Sequence, residues 1–318
     1  MDNKFTVSLS PHEKGPFAVS GVMWGVVIAL VPALIMSVVT FGPRALLVIG
    51  VSILVALVTE YIADRMLGYE NTTADGSVVI TGLLLAFNLP AGMPLPIVAI
   101  GSLFAVAVGK MAFGGLGKNP FNPALVGRAF LLASFPSQTT TWPIPGWGTD
   151  GVTAATALGT LKEGGGVLPS HLDLLLGHVG GSIGEVSALA ILIGGIFMIA
   201  TRIIKWHIPV FFLGGLAAFT GIFYVIDPVN YADPLYHVLA GGAMLGAWFM
   251  ATDMVTSPMS TSGKIVFALG GGLLCGAIRI WGSYPEGTSY AILIMNALVP
   301  LIDKKFKPTP YGKGKVAA

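Results

Sequence analysis

The sequence predicts an all-α, polytopic membrane protein of about ten transmembrane segments. Three observations carry that prediction. Only 10% of the 318 residues are charged and 54% are hydrophobic, with a mean hydropathy of +0.81. Soluble domains carry roughly 25% charged residues, and so few ionisable groups cannot cover a water-facing surface. Apolar runs of about 20 residues, the length that crosses a bilayer, recur along the chain. Lysine and arginine also collect in alternate connections, as the positive-inside rule requires.

The elements follow in order. Residues 1–19 form a polar cytoplasmic segment. With Lys4, Glu13, Lys14 and two prolines, they lack the apolar core and small-residue site of a cleaved leader. The first membrane half, 20–135, holds full spans at 20–41, 44–66 and 95–113 and two short runs, 76–89 and 123–135. The first short run ends in "NLPAGMPLP", where three prolines in seven residues stop a regular helix. "GGLGKNPFNP" precedes the second. A polar loop follows at 136–183, then a second half, 184–302, with spans at 184–201, 206–226, 235–252, 264–281 and 286–302. A basic tail, 303–318, closes the chain. The aromatic stretches "WPIPGW" and "AWFM" read as interfacial or lipid-facing anchors.

With the N-terminus inside, the cytoplasmic face holds Lys4, Lys14, Arg65, Lys110, Lys118, Arg202, Lys205, Lys264 and the tail lysines. The outside holds Arg44, Lys162 and Arg279, and Arg128 belongs to neither set clearly. Both termini are therefore expected in the cytoplasm and the 136–183 loop beyond the membrane. The formal net charge of +2 points to no nucleic-acid partner.

Two pairs of segments share a frame: "GLLLAFNLPAGMP" (82–94) with "GAWFMATDMVTSP" (246–258), and "FGGLGKNPFNPAL" (113–125) with "WGSYPEGTSYAIL" (281–293). Five segments per half is an odd number, so the halves are expected to be inverted, with broken helices meeting at the centre as in transporters.

Four groups of residues could carry chemistry. "DGVTAATALGT" (150–160) presents Thr156 among small residues. A threonine hydroxyl is a poor nucleophile without a base, so Thr156 reads as an acceptor for another enzyme or as part of a plain exported linker. In "GGLGKNPFNPALVGR" (114–128) the phosphate-loop spacing is missing. Asn119 and Asn122 fit helix caps, which still offer amides to a carbonyl-rich ligand. In "FMATDMVTSP" (249–258) Asp253 ends an apolar run, where a carboxylate is costly unless wet or paired. Glu60 and Asp64 sit one turn apart, an ion path or a cytoplasmic boundary. The lone Cys275 and five scattered histidines suggest no cluster, haem or metal site.

"DGVTAATAL", "GGLGKNPFNPALVGRAF", "MATDMVTSP" and "YPEGTSYAILIMNALVPLID" together resemble the NqrB/RnfD family. That family includes the D subunits of Rnf ion-translocating ferredoxin:NAD⁺ oxidoreductases and the B subunits of sodium-pumping NADH:quinone reductases. The likeness runs along nearly the whole chain. It implies that the last threonine of an Asp-Gly-x-Ser/Thr-x-Ala-Thr motif carries FMN through a phosphoester. Asp150, Gly151, Thr153 and Ala155 match that motif, and the acceptor falls on Thr156. Position 154 is alanine, where the pattern more often has glycine.

The resemblance further implies a noncovalent riboflavin-type flavin, with Asn119, Asn122 and Arg128 as candidates to hold it. Thr256 and Ser257 would line a flavin or ion path with Asp253. It also implies a cell-membrane location, partner subunits that supply iron–sulfur and flavin centres, and a separate flavin transferase. The competing reading is a passive channel for a small polar solute, to which the inverted halves and the Asn-Pro-Ala tip at Asn122 lend support.

Overall fold

A computed structural model describes residues 19–69, 71–146, 155–163, 168–282, 284 and 286–307, and among these every regular element is helical. In chain order they are α1 (Val19–Phe41), α2 (Pro43–Leu67), α3 (Ser77–Phe87), α4 (Leu95–Ala107), α5 (Pro123–Ser134), α6 (Pro136–Thr139) and α7 (Ala157–Glu163). There follow α8 (His171–Leu176), α9 (Ala188–Ala200), α10 (His207–Ile226), α11 (Pro234–Leu239), α12 (Ala243–Leu245), α13 (Thr261–Trp281) and α14 (Thr288–Lys305). Five stretches are long and apolar enough to cross a membrane: α1, α2, α4 with the turn after it (Leu95–Phe113), α10 and α13. Helices α3, α5 and α9 are apolar but short; the 184–201 run, expected as a full span, holds only the 13-residue α9, because residues 178–187 before it are turns rather than helix. The chain is a multi-pass membrane protein.

The two halves repeat one pattern of neighbours. In the first, α2 packs on α3 and α4, and α4 on α5; in the second, α10 packs on α11 and α13, and α13 on α14. Contacts of α1 with α9 and of α5 with α14 join the halves around a continuous apolar core. Lipid tails are as apolar as leucine, so such helices are held by close packing over small residues. At the α1–α9 crossing, a Cβ on Gly194 would overlap Ala29 O. At the α10–α13 crossing, a Cβ on Gly272 would overlap Phe212 O.

The 235–252 run, expected as one span, is instead broken into α11, α12 and a π-helical turn at Gly246–Met250, closed by Ala251 N donating to Gly246 O at 2.7 Å. The cause is local. Ala240 is extended and Gly241 left-handed (φ +65°), so the helix cannot continue. Backbone groups released inside a membrane must find partners, and here Arg279 on α13 supplies them. Its guanidinium donates to Ala240 O at 3.1 Å and to His237 O.

Helix α3 ends equivalently, before the prolines. Phe87 O and Leu89 O accept from Gly184 N (2.9 Å) and Ile183 N (3.0 Å), and Arg128 donates to Asn88 O at 3.0 Å.

The 136–183 loop is no loose linker where it is described. Ala157 and Leu158 of α7 pack with Leu174, Val179, Tyr236 and Ala240 in a second apolar cluster. Tyr236 Oη donates to Ala157 O at 3.1 Å. This packing presses α7 against the broken helix of the second half.

Candidate functional site

Thr156 caps α7. Its Oγ1 accepts from Gly159 N at 3.0 Å, and its carbonyl accepts from Thr160 N at 2.8 Å. The residue is buried, and its side chain borders a cavity of about 310 Å³ that also meets Ala155, Arg128, Trp142, Glu286 and Tyr290. Lys162, at the other end of α7, donates to Gly282 O and to Tyr284 O (3.4 Å), which ties the helix down over the cavity. Partial burial lowers the pKa of its ammonium below the ordinary lysine value. Asp150, Gly151 and Thr153 lie outside the described residues.

Arg128 projects from α5 into this cavity. Nη1 donates to both oxygens of Asn88 (3.0 Å to O, 2.5 Å to Oδ1), and Nη2 donates to Glu286. The sequence reading grouped Arg128 with Asn119 and Asn122 at one flavin. The structure separates them, because α5 places Asn122 at its first turn and Arg128 more than a turn further on, toward the opposite cavity.

Asn119 and Asn122 line a second cavity, about 90 Å³, together with Lys110, Phe249, Thr252 and Asp253. Asn122 caps α5: Oδ1 accepts from Ala124 N (3.1 Å) and Leu125 N (3.4 Å), and Nδ2 donates to Met250 O (3.3 Å). Asn119 Nδ2 donates to Phe121 O at 3.0 Å. Asp253 accepts from Val255 N (3.2 Å) and from Thr256 Oγ1 (3.0 Å). Thr256 and Ser257 are buried behind Asp253, outside the cavity wall, and Thr256 O accepts from Asn296 Nδ2 at 2.9 Å.

Glu60 does not face this cavity directly. Its carboxylate is sealed and accepts from Lys110 Nζ (3.0 and 2.9 Å) and from Thr72 Oγ1 (2.6 Å). Lys110 Nζ donates also to Ser77 Oγ at 2.7 Å. Charge counting along the chain gave Lys110 a side of the membrane but no partner; it is 1% exposed. The buried Glu185 and the partly buried Glu286 are further carboxylates that sequence reasoning passed over. The available signal was an ionisable residue at the head of an apolar run.

The two cavities are built alike. At the larger one, the end of α3 (Asn88, Leu89) in the first half meets the segment before α14 (Tyr284, Glu286) in the second. At the smaller one, the end of the π-helical turn in the second half (Phe249, Thr252, Asp253) meets the segment before α5 (Leu116, Asn119, Asn122) in the first. The shared frames of 82–94 with 246–258 and of 113–125 with 281–293 thus correspond to equivalent cavity walls.

Comparison with known proteins agrees along the length of the chain. The model of a family described as "NQR2, RnfD, RnfE family" matches residues 6–312. The D subunit of the proton-translocating ferredoxin:NAD(+) oxidoreductase complex of Clostridium ljungdahlii is 45% identical over 320 residues, 98% of this chain and 97% of its own. The D subunit of the Na(+)-translocating ferredoxin:NAD(+) oxidoreductase complex of Acetobacterium woodii is 46% identical over 315 residues, 98% and 96% of the two chains. The D subunit of the ion-translocating oxidoreductase complex of Stutzerimonas stutzeri is 40% identical over 328 residues, 93% of each.

Proposed function

The chain belongs to the NQR2, RnfD, RnfE family, and on that premise we propose that it is the D subunit of an ion-translocating ferredoxin:NAD⁺ oxidoreductase. It is a membrane subunit of a redox enzyme complex and works with the other Rnf subunits. In this reading FMN is joined by a phosphoester to Thr156 and a riboflavin-type flavin is held by Asn119 and Asn122. Electron passage is coupled to Na⁺ or H⁺ movement across the cell (inner) membrane, with both termini in the cytoplasm and Thr156 on the far side. A bound flavin supplies one- and two-electron chemistry, while the protein supplies position and electrostatics.

The observation that carries the reading is the setting of Thr156. Its side chain borders a cavity of about 310 Å³, within the roughly 300–1,000 Å³ of small-molecule pockets. Trp142 and Tyr290 offer aromatic faces there. Arg128, held by Asn88 and Glu286, supplies a fixed positive charge suited to a phosphate. Thr156 Oγ1 is bonded by the Gly159 amide, a donor rather than a base, which supports attachment by a separate flavin transferase. For the second flavin the support is the polar set at Asn119, Asn122 and Asp253, because about 90 Å³ is smaller than a ligand pocket of that kind.

The test uses the assembled complex from cells with an active transferase, denatured and separated on a gel. The wild-type subunit is expected to fluoresce as a flavoprotein, Thr156→Ala to be dark, and the 150–162 peptide to carry the mass of FMN. A bare peptide from assembled, turning-over complex overturns the assignment.

A further inference from the structure

A buried carboxylate, Glu185, and a partly buried one, Glu286, meet beside Thr156 with few hydrogen-bond donors between them. Glu185 lies in the turn before α9 and Glu286 in the segment before α14. Their side chains are 3% and 13% exposed, and both face the Arg128 guanidinium, at 3.5 Å from Nη1 for Glu185 and bonded to Nη2 for Glu286. Among the described residues, no well-formed hydrogen bond reaches either oxygen of Glu185 or Glu286 Oε1; the buried Ser182 hydroxyl stands close enough to act on the Glu185 carboxyl but is poorly aligned with it. Glu185, Glu286 and Thr156 share the wall of a void of about 20 Å³. The glycine turn of the second half makes room for this approach, since a Cβ on Gly242 would stand 2.5 Å from Glu185 Oε1.

The groups facing Glu185 come from every neighbouring element: Arg128 from α5, Glu286 from ahead of α14, Ser182 from its own turn and Arg279 from α13. Arg279 spends both terminal nitrogens on the carbonyls of His237 and Ala240, next to the buried His237 of α11. Arg128 is divided among Asn88 and the two carboxylates. A buried carboxylate that must share one guanidinium and has no well-aligned hydrogen bond is costly, and two carboxylates at one site resist ionising together. One proton relieves both costs. It removes a like charge and turns Glu185 into a donor within a site full of acceptors. A metal ion in the same small void would instead stand beside the Arg128 guanidinium and be repelled.

We propose that Glu185 and Glu286 form a proton-binding site in which the Glu185 carboxyl holds one proton against the Glu286 carboxylate at neutral pH. Binding is a simple association, carboxylate and proton giving the neutral acid. It requires no esterification of Thr156 and stands whether or not that residue carries flavin.

Infrared spectra of the whole purified complex test this, comparing wild type with Glu185→Gln in H₂O and D₂O at pH 7. The expected result is a carbonyl stretch of a protonated carboxyl, shifted by D₂O, present in wild type, missing in the variant and indifferent to exchange of NaCl for KCl. A second variant, Glu286→Gln, removes the neighbouring charge, so the band is expected to disappear at lower pH than in wild type. The proposal is overturned if wild type and Glu185→Gln give the same carboxyl region. It also falls if Na⁺ at constant pH abolishes the band, which would make the site a metal-ion site. Should Glu185→Gln fail to assemble, an unmoved titration in Glu286→Gln overturns it equally.

Discussion

Lys110 Nζ lies 2.9 Å from Glu60 Oε2, with the two side chains 2% and 0% exposed. The pair joins α2 to the turn after α4 at the edge of the smaller cavity. Removing one partner strands a buried charge, at a cost of about 3–5 kcal/mol. Lys110→Met is therefore expected to lower the melting temperature of the detergent-solubilised chain sharply, and Lys110→Met with Glu60→Gln to restore most of it. Additive losses in the double variant would refute the coupling.

Thr156 has a structural duty apart from any cofactor. Loss of a side-chain cap costs roughly 1 kcal/mol, so Thr156→Ala is expected to speed amide exchange across Ala157–Glu163 in the flavin-free chain. Thr156→Ser, which keeps the oxygen that accepts from Gly159, should exchange at the wild-type rate. Equal exchange in the alanine and wild-type chains would show that the cap contributes nothing.

Asp253 is the carboxylate in the wall of the smaller cavity, and in the proposed function it lies on the path of the translocated ion. Asp253→Ala in the assembled complex is expected to abolish cation uptake by proteoliposomes during ferredoxin-dependent NAD⁺ reduction while flavin on Thr156 persists. Undiminished uptake would remove Asp253 from the ion path.

Two glycines in membrane helices should respond oppositely to the same methyl group. At Gly272 the added Cβ collides with Phe212 O, whereas at Gly50 nothing lies within 4 Å. Gly272→Ala is expected to destabilise by about 1–3 kcal/mol through overpacking. Gly50→Ala should instead stabilise by up to about 1 kcal/mol from helix propensity. Thermal unfolding of each variant decides.

The capping box of α8 gives a pH dependence. Bonds from Ser170, chiefly from its hydroxyl, hold the Asp173 carboxyl below the ordinary aspartate range. A depressed folded-state pKa means that the stabilisation is complete above the unfolded value and is lost as pH falls through the folded one. Proteolysis near His171–Leu176 is therefore expected to accelerate under acid, and Ser170→Ala to blunt that acceleration. A pH-independent rate in wild type would exclude the effect.

Hydropathy, proline and glycine act within a few residues of themselves, so the sequence alone determined the membrane class, the five helices long enough to span, the short helices ending at Asn88 and starting at Asn122, and the place of a repeat. It also displayed the motif around Thr156, whose described part the fold sets against a cavity. It misjudged the 235–252 run, where Gly241 and Gly242 outweigh an apolar average. It also overestimated the length of the 184–201 segment. It did not foresee the burial of Lys110 against Glu60, and it put Arg128 with Asn119, which line different cavities. Those outcomes depend on which helices cross. Lys110 meets a residue 50 positions away and Arg128 one 158 positions away. A buried charge takes the partner that packing brings to it, and only the tertiary structure decides which partner that is.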